Sequence, residues 1–194
     1  MHFGEVPVGA AAGAILAHSE AVPQGRLRKG AILTEADIAA LQAAGLTRVT
    51  VARLDAGDVA EDEAATRLAA ALWSPGAGLV ATSAFTGRVN LNATGPGIVA
   101  LDGEAVNRLN LTDPAITLAT LAPFQRVTAG TLVGTVKIIT YGVAGDALAR
   151  ACAVAADARL RVLPVALGTA SLLLTEVQGQ DPKLAAKGRR AVEA

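Results

Sequence analysis

The chain has 194 residues, 52% of them hydrophobic, and 17 basic side chains against 17 acidic ones give a formal net charge of +0. Such a hydrophobic share excludes disorder and supports one domain or one and a half. Zero charge and an aromatic content of 3% argue against nucleic-acid binding, which draws on a basic surface and on stacking rings.

The first segment, "EVPVGAAAGAILAHS", reads as an opening strand with its apolar run at Ala14 to Ala17. It is too rich in alanine and glycine to span a bilayer, and no basic-apolar-cleavage pattern precedes it, so a cytoplasmic location without a membrane partner is expected. A polar turn, "EAVPQGRLRKGAIL", follows. From Thr34 the period changes. Ile38, Leu41 and Leu46 recur at helical spacing, Thr34 stands three residues before Asp37 as in a capping box, and Gly45 supplies a left-handed end, which predicts a helix over Thr34–Ala44. "TRVTVARL" alternates as a half-buried strand, and "AEDEAATRLAAALW" predicts a second helix that is acidic in its first turn.

Beyond Gly78 short apolar runs, "LVATSAF", "GRVNLNA" and "GIVALD", are punctuated by glycine and spaced like a meander. A brief helix over Gly103–Leu111 leads to "AITLATLAPF" and "TLVGTVKIITYGV", read as strands, and "AGDALARACAVAADA" is a helix. "RLRVLPVALGTASLLLTEV" reads as one or two buried strands, and "DPKLAAKGRRAVEA" as a helix with Pro182 at its first position. The fold class expected is α+β: a glycine-punctuated β sandwich or barrel-like meander with flanking helices, plus the start of an α/β unit at the C-terminus. Residues 1–158 would form a mixed accessory domain and residues 159–194 the beginning of a second domain whose remainder lies elsewhere, since one βα piece does not complete a parallel sheet.

The candidate binding face is the strand carrying Thr86, Arg88, Asn90 and Asn92, which alternate with Val89 and Leu91. A hydroxyl, a guanidinium and amides on one side could hold a phosphate or a polar heterocycle, or could simply be the solvated face of a meander. Lys137, set among Val136, Ile138 and Ile139, could face a cleft or guard an edge strand. Arg26, Arg28 and Lys29 could attract a phosphate or form only a solvated turn, and His18 could serve acid-base chemistry or sit at a strand end bound to backbone. The acidic run from Asp55 to Glu63 complements a helix N-terminus, and Cys152 reads as a small core residue. With His2, His18 and Cys152 alone there is no zinc constellation, and no nucleophile motif is present.

Taken together, "FGEVPVGAAAGAILAHS", "GRLRKGAILTEADIAALQAAGLTRVTVARLDAGDVAEDEAATRLA", "FTGRVNLNATGPGIVALDGEAVNRLNLTDPAITLATL", "TLVGTVKIITYGV" and "SLLLTEVQGQDPKLAAKGRRAVEA" resemble the N-terminal region of bacterial molybdopterin-binding proteins of molybdenum cofactor biosynthesis. In that family the region precedes a molybdopterin-binding domain and often a nucleotidyltransferase domain. The resemblance implies an accessory region that binds or positions molybdopterin, with Thr86, Gly87, Arg88, Asn90 and Lys137 as cofactor-binding candidates on the matching "FTGRVN" and "VKII" segments, and no catalytic residue. The implied partners are molybdopterin or its molybdenum-loaded form, the remaining domains of the full-length protein, and a second copy in a homo-oligomer. The segments that grip the pterin phosphate in that family would fall beyond Ala194, so nucleotide transfer is not expected of this chain alone. The alternative is a ligand-free structural or oligomerisation module, consistent with the alanine-rich composition and the few reactive side chains.

Overall fold

The computed structural model describes residues 1–175, 178–179 and 181–193. The chain divides into two compact units, Met1–Pro164 and Val165–Ala194.

The first unit opens with β1 (His2–Pro7), a short 3-10 turn at Val8–Ala10, and β2 (Ile15–Leu16). The segment expected to be a polar turn folds into a hairpin of β3 (Glu20–Val22) and β4 (Gly25–Leu27), with Val22 facing Gly25 across Pro23 and Gln24. Its strands are too short to show a period. Helix α1 (Glu35–Ala43) lies where the spacing predicts, and the Thr34 amide donates to Asp37 Oδ2 at 2.9 Å while the Asp37 amide donates to Thr34 Oγ1 at 3.3 Å. Strand β5 (Arg48–Arg53) is flanked by β1 and β2, both antiparallel. Leu16, Leu33, Ile38, Leu41, Val49 and Val51 bury one face of these elements in a hydrophobic cluster of their own.

The larger cluster belongs to the rest of the unit. After β6 (Asp58–Ala60) comes α2 (Glu61–Leu72), then β7 (Leu79–Ala81), β8 (Arg88–Ala93) and β9 (Gly97–Ala100). These are followed by α3 (Gly103–Asn110), β10 (Ile116–Thr120), β11 (Arg126–Val127) and β12 (Leu132–Ile138). The run read as one strand through "TLVGTVKIITYGV" is interrupted at Thr140, where the hydroxyl donates to the Gly142 carbonyl, and resumes as β13 (Gly142–Ala144), which pairs with β6. Helix α4 (Gly145–Ala158) and β14 (Arg161–Pro164) complete the unit.

Strands β10, β12, β8 and β7 form an antiparallel sheet in that order. Ile116, Leu118, Val136, Ile138, Val89 and Leu91 project from one side into the core. Helices α2 and α4 pack there through faces rich in alanine, with α3 against α4. The meander expectation holds for β7 and β8 only. Strand β9 leaves that sheet to lie between β11 and β14. Gly97 permits this, because a Cβ on it would collide with the Leu163 carbonyl and with Val162 Cγ1. The class is α+β, and its sheets are small and open, none of them closed into a barrel.

Two findings bear on the C-terminal expectation, and the second corrects it. Arg161–Pro164 pairs with β9, so the first unit extends past residue 158 to Pro164. Val165–Thr175 forms no strand, and its leucines are not buried: Leu167 is 83% and Leu173 92% exposed. A leucine run stays in solvent when no neighbouring strand satisfies its backbone. The end of the expected strand, Glu176 and Val177, lies outside the described residues. Helix α5 (Pro182–Glu193) forms where Pro182 predicts its start. Among the described residues, no helix is long and apolar enough to cross a membrane.

Candidate functional site

The corner "FTGR" is a two-residue hairpin loop. Phe85 and Arg88 exchange backbone hydrogen bonds at 3.0 and 3.1 Å, and the central residues Thr86 and Gly87 both have positive φ, 48° and 70°. This conformation matches the twist of the flanking strands and favours glycine. Thr86 therefore sits in the turn, two residues before β8 begins, and not on the strand face on which the sequence alternation placed it.

Gly87 is held against α2. Its amide donates to Asp62 Oδ1 at 2.6 Å, and its carbonyl accepts from the Ile138 amide at 2.8 Å. A Cβ at this position would stand 2.8 Å from both Glu61 Oε2 and the Ile138 carbonyl. The corner needs its glycine for conformation and for space.

Arg88, Asn90 and Asn92 do share the outer face of β8, as the alternation predicts. Register then decides what each meets. Arg88 lies opposite Lys137, and Asn90 opposite Thr135, whose hydroxyl donates to Asn90 Oδ1 at 3.0 Å. Asn90 thus ties β8 to β12, whereas Arg88 is exposed. The Lys137 ammonium turns toward the corner, donating to the Thr86 carbonyl at 2.5 Å and standing 4.0 Å from Glu61 Oε2.

Around Lys137 the chain closes a cleft of about 290 Å³, lined by Lys29, Glu61, Thr86, Thr140 and Tyr141 among others. Tyr141 connects it to the N-terminal elements. Its hydroxyl donates to the Ala17 carbonyl at 2.9 Å and its ring stacks on Phe3 with centroids 6.4 Å apart. Burial pushes the Glu61 carboxyl above its ordinary value and Asp62 adds to the rise, while Lys137 and Lys29 pull it back. Burial and the Glu61 charge likewise raise the Tyr141 phenol. Two ammonium groups thus face one carboxylate that is partly desolvated, which leaves the cleft receptive to an anion.

Of the five binding candidates, Thr86 and Lys137 line the cleft. Gly87 lies behind them, and Arg88 and Asn90 continue along the outer sheet face. Glu61 and Tyr141 were not anticipated, and Lys29 was marked only as one of three basic residues in a turn that could attract a phosphate. Lys29 and Glu61 sit in the basic turn and acidic run that composition assigns to solvent and helix dipole, and only the tertiary fold brings them together. Elsewhere, His18 is exposed, and Cys152 is partly buried in α4 with its thiol pushed up by burial, which fits the reading of a small core residue.

A family described as a domain of unknown function (DUF8806) matches residues 5–53. The matched stretch runs from β1 to the last residue of β5 and so spans the smaller hydrophobic cluster. No curated protein and no solved structure matches the chain.

Proposed function

We propose that the unit Met1–Pro164 is the accessory region of a molybdenum cofactor biosynthesis protein and binds or positions molybdopterin. The cleft between the Thr86–Gly87 corner, α2 and Tyr141 would receive the phosphate end. The observation that carries this reading is the meeting of Lys29 and Lys137, from opposite ends of the unit, at one cleft. Two ammonium groups suit a phosphate dianion, and Arg88, opposite Lys137, extends the positive charge along the sheet. Thr140 and Tyr141 spend their hydroxyl protons on backbone carbonyls, so both oxygens remain acceptors suited to the N–H edge of a pterin. The mechanism is binding and orientation. Molybdopterin supplies the metal-ligating chemistry of the finished cofactor, and the chain's own groups hold its charge.

A second reading is a structural module without a ligand. It is favoured by the engagement of Lys137 with Thr86 and Glu61, which clamps the corner to α2. The Lys137→Gln variant separates the two. As a binding group, its loss weakens molybdopterin affinity about tenfold, the range of one charge-assisted hydrogen bond, with little change in melting temperature. An unchanged affinity with a lower melting temperature supports the structural module.

A further inference from the structure

A second cleft, of about 490 Å³, is lined by Arg108, Arg159 and Arg161 together with Asp102 and Asp157. The arginines come from three elements. Arg108 stands in the last turn of α3, Arg159 ends α4, and Arg161 begins β14 in register with Ala100. Leu160, fully buried between Arg159 and Arg161, fixes the backbone from which both side chains leave. Arg159 is held at φ 48° and ψ 41°, a left-handed conformation normally filled by glycine at a helix end. A residue kept where its Cβ is disfavoured points to a use for its side chain.

One of the two carboxylates in the cleft is committed to the backbone, and the other is loosely paired. Asp102 accepts from the Glu104 and Ala105 amides at 2.9 and 3.2 Å, capping α3, and Asp157 stands 3.6 Å from Arg108 Nη2. Among the described residues, neither Arg159 nor Arg161 has an ion-pair partner. Two guanidinium groups without an ion-pair partner among the described residues, beside a third that is only loosely paired, make a multidentate receptor for tetrahedral oxyanions. We propose that this cleft is a second binding site, separate from the Lys137 cleft, for a phosphate or diphosphate group. That group would be either free or the end of a larger phosphorylated ligand.

Calorimetric titration of the full chain with inorganic phosphate, inorganic pyrophosphate and adenosine diphosphate tests this. Saturable binding of pyrophosphate is expected, weakened about tenfold by Arg159→Gly and by Arg161→Gln and unchanged by Arg67→Gln, an exposed arginine on α2 that lines neither cleft. Arg159→Gly suits the local backbone, so its melting temperature should match or exceed that of the parent and lost binding cannot be ascribed to unfolding. Tighter binding of adenosine diphosphate than of pyrophosphate marks the site as one for a larger phosphorylated ligand, and equal affinity marks it as one for the free anion. No saturable binding, an affinity equal to the parent's in both arginine variants, or an equal loss in Arg67→Gln would overturn the proposal.

Discussion

Gly87 carries the most constrained position of the candidate site. Its positive φ disfavours any side chain, and the space a Cβ would need is taken by Glu61 Oε2 and the Ile138 carbonyl. Gly87→Ala is therefore expected to cost about 1–3 kcal/mol in denaturant unfolding. A variant as stable as the parent would show that the corner relaxes freely. Glu61 makes a prediction of opposite character. A carboxyl whose folded pKa lies above its unfolded one binds its proton more tightly when folded. Its contribution to stability is then greatest below the ordinary value of 4.5 and falls as pH rises through the raised one. Asp37, Asp58 and Asp146, all lowered, act in the reverse sense, so the informative quantity is the stability of the parent minus that of Glu61→Gln. That difference should decline as pH is raised from 4 to 7. A flat difference would mean that Lys29 and Lys137 offset the burial of Glu61 completely.

Elements with a strong local signal were readable from the chain before folding, and α1 shows why. Its first turn carries both halves of a capping box and its end a glycine, so neighbours in sequence specify it. Replacing Thr34 with alanine should cost about 1 kcal/mol by removing the hydroxyl that accepts from the Asp37 amide, read as a lower unfolding midpoint. No loss would mean that tertiary packing alone holds the helix. The alternation of Arg88, Asn90 and Asn92 with Val89 and Leu91 was legible for the same reason. The β3–β4 hairpin was not, because its three-residue strands show no period. Thr86 was assigned to the strand because alternation does not reveal where a strand ends and a turn begins. The leucines after Pro164 were read as buried because hydropathy reports what a side chain prefers, and burial also needs a surface to pack against. The cleft was legible only in part. Lys137 was marked by its apolar neighbours, but Lys29 and Glu61 reach it through topology that no local pattern encodes.

At the scale of the molecule, two hydrophobic clusters sit within one compact unit, Met1–Pro164. Tyr141 bonds to Ala17 and stacks on Phe3, linking the part matched by the domain of unknown function to the rest. The unit should then unfold as one. Leu41→Ala in the smaller cluster and Leu91→Ala in the larger one, both fully buried, should each cost about 2–5 kcal/mol and shift the same calorimetric transition. Two transitions shifted separately would show that the clusters are independent folding units. The same linkage brings Lys29 to Lys137, so the cleft exists only when the two parts are joined. The measurement that bears most directly on the proposed function is molybdopterin retention, read as the fluorescence of its oxidised product released from the purified chain. Fluorescence from the parent that is lost in the Lys29→Gln, Lys137→Gln double variant is the predicted result. No fluorescence from the parent, or equal fluorescence from both, would contradict a molybdopterin site in this cleft.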